Sequence, residues 1–357
     1  MNKPSVPIAL CVAAVALAGA LSDARAEVRK LTILSASPVT VTPTAITKEF
    51  FVPEINRRLA ASGHDFKIEW NESYGPNLAK FTEILESVEE GIAHIGVLLR
   101  NFEESKLPLD QYPSFIPFGI MDPQKMPQVD DRVRAKVPEL DQAYLKFNQI
   151  LLARGYSHSA HVFTTFPVKT VGDMKGHKVG ISGANGHVLR GTGAVPVTAN
   201  MAQSYVDIKN GVYEGYVISE LNAFPYRTFE VATQVARTWF GVSSAPAVVV
   251  NKKTWDALPA FARDIVRAVA DQWHAEYYKF EKRKMDEWVA TMTQRGVKFT
   301  DLSLDERRQW ARAMPNVGRE WAADMDKLGL PGSRVLTAYM DEVRASGDPI
   351  VREWDKE

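Results

Sequence analysis

Short apolar runs alternate with apolar stripes at helical spacing along the first third of the chain. The run at 31–34 (LTIL) predicts a strand, the alternating FKIEW at 66–70 predicts a second, and the mostly apolar run at 92–99 predicts a buried third. The stripes between them are Ile46, Phe50, Ile55 and Leu59, and then Leu78, Phe81, Leu85 and Val88. This alternation of strands and helices is typical of a parallel α/β sheet.

Proline and glycine mark where the predicted helices start, break and end. Thr42 followed by Pro43 is typical of a helix start, and Pro53 inside the first stripe predicts a kink or a break. Gly91 predicts a helix end after the second stripe. A third stripe predicts a helix that ends near Gly155, and its residues are Leu140, Tyr144, Phe147 and Leu151.

The middle of the chain repeats the alternation and predicts a second α/β unit. Runs at 178–182, 213–219 and 245–250 predict strands, and Tyr205 and Ile208 predict a short helix between the first two. A glycine-containing loop, SGANG at 182–186, follows the first of these strands. Its glycines match neither a dinucleotide fingerprint nor a P-loop, so the loop alone does not indicate a phosphate site.

One long helix follows the second unit. From Pro259 to about Arg295 an apolar face continues without interruption by glycine or proline. At 1.5 Å per residue such a helix is roughly 50 Å long. That length exceeds one small domain, so we expect the helix to run along both units. The remaining chain is mostly helical, with a turn at 328–333 (LGLPGS).

Composition narrows the class of protein. The chain has 357 residues with 45% apolar residues, which suits two globular domains. Lysine and arginine together number 43 and so do aspartate and glutamate, so no global field favours nucleic acid or an anionic membrane. No sequence feature calls for a cofactor.

The N-terminus has the form of a secretory signal peptide. Lys3 is followed by an apolar run from 8 to 21 and an A-R-A cleavage signal at 24–26. A membrane anchor is the alternative, but the apolar run is short for a spanning helix. Removal of residues 1–26 takes away Cys11, the only cysteine. We therefore expect a periplasmic protein without disulfides or cysteine-held metals.

Three stretches in a fixed order carry a family resemblance. They are FPVKTVGDMKGHKVGISG at 166–183, TGAVPVTANMAQSYVDIKNGVYEG at 192–215 and VVVNKKTWDALP at 248–259. Together with the leader and the long helix, they resemble the substrate-binding proteins of tripartite ATP-independent periplasmic (TRAP) transporters, of the dicarboxylate-binding type. The resemblance spans essentially the whole chain after residue 26.

The resemblance implies a two-domain clamp of α/β class, with two connecting strands and the long helix (about 259–295) shared by both domains. The first domain would comprise 27–153 and 243–280, and the second 154–242 and 281–357. A small organic acid would bind between them, and the domains would close on it. The partners implied are a small and a large membrane subunit, without ATP hydrolysis.

The chain departs from the family pattern at a ligand-binding position. The family stretch places an arginine for the ligand carboxylate where this chain has Gly180. A second family arginine is matched by His161. The glycine loop is therefore interpreted as a ligand-binding loop whose main anion anchor is absent.

Two basic side chains are candidates to replace that anchor. Arg100 follows a buried strand, at the edge where open α/β sheets bind ligands. It is either a relocated carboxylate anchor or a solvated arginine paired with Glu103 or Glu104. His161 could donate a hydrogen bond to the ligand. A metal held by His158 and His161 is disfavoured, because neither carboxylate nor cysteine ligands are near them in the chain.

Further candidates come from loops at strand ends. Asn185 lies just before a predicted helix, where it either helps to bind an anion or caps the helix. Glu220 and Asn222 follow a strand and either face the cleft or lie on a surface loop. The others are Tyr74 and Trp239, each an aromatic contact or simple packing, and Asn200, by family position.

The sequence leaves several functions open. Transport of a monocarboxylate, with aromatic acids included, is the first hypothesis, because the family arginine is missing. A neutral or hydroxylated ligand is the second, and a receptor for a sensor kinase would use the same fold. No G-x-S-x-G, P-loop or H-E-x-x-H motif indicates an enzyme.

Overall fold

A computed structural model describes residues 27–75 and 78–357, and for residues 183–185 it describes the backbone alone. The predicted leader, residues 1–26, therefore lies outside the described residues. The strands are β1 (Glu27–Ser35), β2 (Phe66–Tyr74), β3 (Ile95–Leu99), β4 (Gln149–Ser157), β5 (His161–Thr164), β6 (Lys178–Ile181), β7 (Val195–Thr198), β8 (Gly215–Ile218), β9 (Gln234–Arg237), β10 (Ser243–Asn251) and β11 (Lys298–Asp301).

The α-helices are α1 (Thr42–Ile46), α2 (Val52–Ala61), α3 (Ile84–Glu89), α4 (Tyr112–Phe115), α5 (Met126–Lys136), α6 (Glu139–Leu145), α7 (Ser204–Lys209), α8 (Glu220–Ala223), α9 (Lys252–Ala257), α10 (Ala260–Gln294), α11 (Leu304–Ala313), α12 (Val317–Lys327) and α13 (Gly332–Ala345). Among the described residues, no helix combines the length and the apolar character that crossing a bilayer requires.

The strands form two sheets, each mostly parallel with antiparallel members. Sheet A has the order β2-β1-β3-β10-β4, in which β10 runs antiparallel to both of its neighbours. Sheet B has the order β11-β9-β5-β8-β6-β7, in which β5 runs antiparallel to β8 and β9. The predicted fold class, an α/β clamp with two units, is confirmed.

Two chain crossings and one helix connect the sheets. β4 leaves sheet A and leads through residues 158–160 into β5, while β9 leads through residues 238–242 back into β10. Ser157 and Ser243 are the last paired residues of sheet A at this crossing. Helix α10 buries Trp273 against the sheet A core and Met292 against the sheet B core. Its 35 residues thus contribute to both cores, as the uninterrupted apolar face predicts.

The division into two sequence-defined domains remains a prediction. One large apolar cluster joins residues of α5, such as Met126 and Val133, to β6 and to the C-terminal helices α11–α13. Helix α5 also packs directly on α13. The segment around α5, which the sequence division assigns to the first domain, therefore shares its core with segments assigned to the second.

Local sequence signals predict some boundaries of helices and strands correctly and others wrongly. A π-helical turn over Thr47–Phe51 separates α1 from α2, so the break expected at Pro53 occurs one turn earlier. The helix predicted to run to Gly155 is wrong. Helix α6 ends at Leu145, Asn148 adopts a left-handed conformation (φ 52°), and β4 begins at the next residue. β4 is a strand because β10, a distant segment, supplies its hydrogen-bonding partner.

Candidate functional site

A cavity of about 360 Å³ lies where the chain crosses between the sheets. Its walls come from the crossing residues 158–161, from the edge of sheet B and from helix α10. The lining residues are Met121, Asp122, Pro123, His158, Ser159, His161, Glu220, Arg237, Trp239, Tyr278 and Met285. A cavity of this size suits a small organic molecule.

Sheet topology explains why three of these side chains meet. Arg237 ends β9 and Glu220 follows the end of β8, and these strands are parallel to each other because both run antiparallel to β5. His161 begins β5, so it lies at the same edge. The carboxyl ends of parallel strands are where open α/β sheets bind ligands.

A buried carboxylate links the two basic groups at this edge. The Nε of Arg237 donates a hydrogen bond to Oε1 of Glu220 at 3.0 Å. The other oxygen of Glu220 lies 3.5 Å from Nε2 of His161. The guanidinium of Arg237 also stacks over the ring of Phe299, 4.5 Å from its centroid. Glu220 and Phe299 thus fix Arg237. Its Nη1 also lies 3.9 Å from a carboxylate oxygen of Asp301, an ion-pair distance that is too long for a hydrogen bond.

The surroundings of both cavity histidines favour the neutral ring. Burial lowers the pKa of His161, and the neighbouring charge of Glu220 offsets this only in part. Burial likewise lowers the pKa of His158. Because Nδ1 of His161 faces the backbone N–H of Trp239 at 3.5 Å, its proton is assigned to Nε2, on the Glu220 side. Both rings therefore offer the cavity hydrogen-bonding atoms rather than a fixed positive charge.

Trp239 is held over the cavity by its backbone and its indole. Its φ of 54° is left-handed, which is rare for a bulky residue and costs conformational energy. The indole Nε1 donates to Asp301 at 2.9 Å, and the ring meets His161 edge-on with centroids 5.0 Å apart. Strained residues of this kind cluster at ligand sites.

Helix α10 supplies the opposite wall. The ring of His158 stacks on Tyr278 with centroids 5.6 Å apart. Behind it, Glu281 accepts a hydrogen bond from the hydroxyl of Tyr277 at 2.6 Å, and burial raises the pKa of Glu281 to about 8. Its free oxygen lies 3.7 Å from Nε2 of His158, beyond hydrogen-bond distance.

The position of the family arginine is filled by tyrosine rings. A Cβ on Gly180 would lie 2.5 Å from Cδ2 of Tyr216 and 2.8 Å from Cε2 of Tyr213. The hydroxyl of Tyr216 is bonded to Ser182 and to the carbonyl of Ala199, which holds that ring in place. A longer side chain does not fit here, so the missing arginine is a feature of the local packing.

The expectation that Arg100 is a ligand anchor is not supported by its position. Its side chain is 1% exposed, and it donates to the carbonyls of Ala245 and Gly155 and to the carboxylate of Asp110. The alternative, a solvated pair with Glu103 or Glu104, is also wrong. The reason is that the segments around Asp110, Gly155 and Ala245 converge on this guanidinium and enclose it.

The other predicted site residues fall into two groups. His161, Glu220 and Trp239 line the cavity together, and the others whose side chains are described lie elsewhere. Tyr74 is the last residue of β2 and packs at the margin of the sheet A core. Asn200 is exposed and caps the short 3₁₀ helix Met201–Gln203, and the exposed Asn222 donates to the hydroxyl of Ser219. The side chain of Asn185 lies outside the described residues.

The sequence reasoning missed the one guanidinium among the described lining residues. Arg237 ends a strand of four residues that carries no clear apolar pattern. Asp122 and Tyr278 were missed as well, because they come from a loop and a helix that the chain brings to the cavity from far away. The described residues contain no group of three His, Cys, Asp or Glu side chains placed to hold a metal ion.

Comparison with known proteins identifies the family. The model of "Bacterial extracellular solute-binding protein, family 7" (DctP) matches residues 62–324. The C4-dicarboxylate-binding periplasmic protein DctP of Vibrio cholerae is 26% identical over 165 residues, covering 44% of this chain and 48% of that protein. The chain thus spans about half the length of the curated relatives it matches.

Solved structures share the fold. A TRAP periplasmic solute-binding protein of Desulfovibrio salexigens, in an open complex, gives a TM-score of 0.77 at 18% identity over 92% of this chain and 98% of its own. The ectoine-binding protein TeaA in its apo state gives 0.74 at 15% identity, over 89% and 99%. DctP6 of Bordetella pertussis, which binds pyroglutamic acid, gives 0.68 at 21% identity, over 87% and 99%.

The family match covers most of the chain, and the fold agrees with it. TRAP solute-binding proteins bind small ligands and work with membrane subunits. The chain belongs to family 7 of the bacterial extracellular solute-binding proteins, the DctP family of TRAP transporters.

Proposed function

We propose that this protein captures a small organic monocarboxylate, aromatic acids included, in the cavity between its two sheets. It delivers the ligand to the small and large membrane subunits of a TRAP transporter, and it does so without catalysing a reaction. Residues 1–26 direct export to the periplasm and are removed by cleavage after about Ala26. The observation that carries the proposal is the position of Arg237 on the cavity wall, at the carboxyl edge of sheet B.

Arg237 takes the role of the carboxylate-binding arginine that the family has at the position of Gly180. A guanidinium with its terminal nitrogens available can bind a carboxylate through two parallel hydrogen bonds. His161 adds a donor if its Nε2–H turns from Glu220, 3.5 Å away, to the ligand. Trp239 and Tyr278 provide aromatic surface on opposite sides, and Met121 and Met285 provide adaptable apolar contacts.

The mechanism is closure of the two units on the ligand. A ligand that touches both sheet B and α10 makes its full set of contacts only when they approach, so it shifts the equilibrium towards the closed state.

Calorimetry of the purified mature protein tests the proposal. We expect monocarboxylates to bind and neutral polyols of similar size to be silent. The Arg237→Met change should weaken binding by about tenfold to a hundredfold, because a charge-assisted bidentate contact is lost. Arg283→Met is the matched control, since Arg283 is an exposed arginine on α10 that rests on Phe280.

One further variant separates binding from folding. Arg237→Met alone leaves the buried carboxylate of Glu220 without its partner, which can destabilise the protein. The double variant Arg237→Met/Glu220→Gln removes that charge and preserves the shape of the side chain. If the folded double variant still binds monocarboxylates as tightly as the native protein, Arg237 is not the anchor. If only neutral solutes bind the native protein, the proposed ligand class is wrong.

A further inference from the structure

We infer that the cavity selects a small zwitterion, a molecule with one carboxylate and one ammonium or amidinium group, and that Asp122 distinguishes it from a simple acid. The inference rests on the proposed function, since it uses the same cavity and the same anchor, Arg237. It adds the second charge of the ligand and the residue that recognises it.

The charges on the cavity wall carry the argument. The lining contains two carboxylates, Glu220 and Asp122, and one guanidinium, Arg237. Burial lowers the pKa of His158 and of His161, which favours the neutral form of both rings, so the charge of the wall is counted on its carboxylates and its guanidinium. The wall is therefore net negative by one charge. A simple monocarboxylate would bring a second excess negative charge into a half-enclosed site, which is unfavourable at low local dielectric.

The two carboxylates are not equivalent. Glu220 is 3% exposed and is used to hold Arg237. Asp122 is half-buried, and one of its oxygens accepts the backbone N–H of Gln124 at 2.9 Å. Within the described part of the chain, no lysine or arginine forms an ion pair with Asp122. The nearby Lys125 pairs instead with Asp348, at 2.8 Å. The charge of Lys125 also acts on Asp122 but forms no ion pair with it, so Asp122 is the wall carboxylate that no described lysine or arginine contacts directly.

The surroundings of Asp122 suit a cation. Asp122 lines the cavity together with Tyr278 of α10 and with His158, whose ring stacks on Tyr278. The faces of Tyr278 and Trp239 attract cationic groups through their ring quadrupoles, and thioethers such as Met121 and Met285 adapt to the alkyl groups around an ammonium. A ligand with its carboxylate on Arg237 and its cationic group near Asp122 balances the charge of the whole wall.

Matched pairs of ligands test the inference on the purified mature protein. In each pair a zwitterion is compared with an acid of the same shape that lacks the positive charge. The pairs are glycine betaine with 3,3-dimethylbutanoate, proline with cyclopentanecarboxylate, and leucine with 4-methylpentanoate. Titration calorimetry and thermal shift give the affinities. We expect the zwitterion of at least one pair to bind about tenfold more tightly than its acid, or better.

The Asp122→Asn variant identifies the residue responsible. The variant keeps the shape of the side chain and its contact to Gln124 while removing the charge. It should therefore abolish the preference for the zwitterion over its matched acid, and the affinity for the acid should stay the same or rise. Asp324→Asn is the control, because Asp324 is an exposed carboxylate of α12 paired with Lys327 and does not line the cavity. It should leave both affinities unchanged.

The possible failures are distinguishable. Acids that bind as tightly as their zwitterions, with loss of binding in Arg237→Met, would overturn the inference and leave the proposed function standing. A preference that survives Asp122→Asn would overturn the role of Asp122. If neither member of any pair binds the folded native protein, the inference fails, and the calorimetric comparison of monocarboxylates with neutral polyols decides the proposed function separately.

Discussion

Arg100 and Asp110 form an ion pair in which both side chains are 1% exposed, with Nη1 and Oδ2 3.1 Å apart. The carboxylate of Asp110 also accepts hydrogen bonds from Arg134 and from the hydroxyl of Tyr144, the latter at 2.6 Å. The pair is one part of a buried network that ties the end of β3 to α5. Breaking such a pair by removing one partner leaves an uncompensated charge in the interior.

We therefore expect Asp110→Asn to lower the free energy of unfolding by about 3 kcal/mol or more. Chemical denaturation followed by circular dichroism measures the change. Asp256→Asn is the control, because Asp256 is an exposed carboxylate paired with Lys252, and it should cost less than about 1 kcal/mol. Equal stability of the two variants would contradict the structural role assigned to the network.

The same network predicts a loss of stability in acid. Burial alone would raise the pKa of Asp130, but Arg134 and Arg154 outweigh it and hold the pKa below its usual value. A carboxyl whose pKa is lower in the folded state stabilises the protein above its unfolded pKa, near 3.9, and less as the pH falls further. The free energy of unfolding should decline below about pH 4. Asp130→Asn should start lower at pH 7 and decline less steeply.

Glu281 predicts the opposite trend at higher pH. Burial raises its pKa to about 8, so the folded state keeps a proton that the unfolded state has lost. Stability contributed by this group is complete below its unfolded pKa, near 4.3, and declines as the pH rises to 8. Glu281→Gln should therefore be more favourable at pH 8 than at pH 5, by roughly 3–4 kcal/mol.

Unfolding curves at the two pH values check this prediction. Glu287→Gln is the matched control, because Glu287 is an exposed glutamate on the same helix. A pH-independent effect of Glu281→Gln would show that Glu281 is ionised in the folded protein. Its partner Tyr277 would then be the hydrogen-bond donor to a buried anion.

Gly180 predicts a packing effect in strand β6, at the position of the family arginine. Adding one methyl group, in Gly180→Ala, forces Tyr216 or Tyr213 to move, because the new atom would be under 3 Å from both rings. We expect a loss of about 1–3 kcal/mol in stability. Gly186→Ala, in the segment that follows β6, meets no atom closer than 4.0 Å and should be nearly neutral. Equal melting temperatures for the two variants would contradict the packing argument.

The sequence predicts the parts of the fold whose signals are local. The apolar stripes and runs give the alternation of strands and helices, and the uninterrupted face from 260 to 294 gives α10. The stripe of Leu140, Tyr144, Phe147 and Leu151 predicts a helix into β4, because a single apolar residue of a strand can extend a helical pattern. The strands β5, β7, β9 and β11 are not predicted, because their four residues give no apolar run that stands out, whereas the equally short β6 and β8 lie within the predicted runs at 178–182 and 213–219.

The site residues, too, are predictable only where the sequence around them carries a local signal. His161 and Glu220 were predicted because each lies at a strand end that the family pattern marks. Arg237 was missed because its strand is defined by pairing with β5 and β11, segments that lie on either side of it in the chain. Arg100 was misassigned because the groups that enclose it, such as Asp110 and Ala245, are brought together only by the tertiary fold.

The order of strands in sheet A has a consequence for how the chain folds after export. β10 lies between β3 and β4, yet Ser157 and Ser243, which pair at its start, are 86 residues apart in the chain. A chain that emerges N-terminus first therefore presents β3 and β4 with open hydrogen-bonding edges until most of sheet B has also emerged. Such edges invite pairing with other chains. The insertion of β10 closes the sheet, so this strand is the point at which folding competes with aggregation.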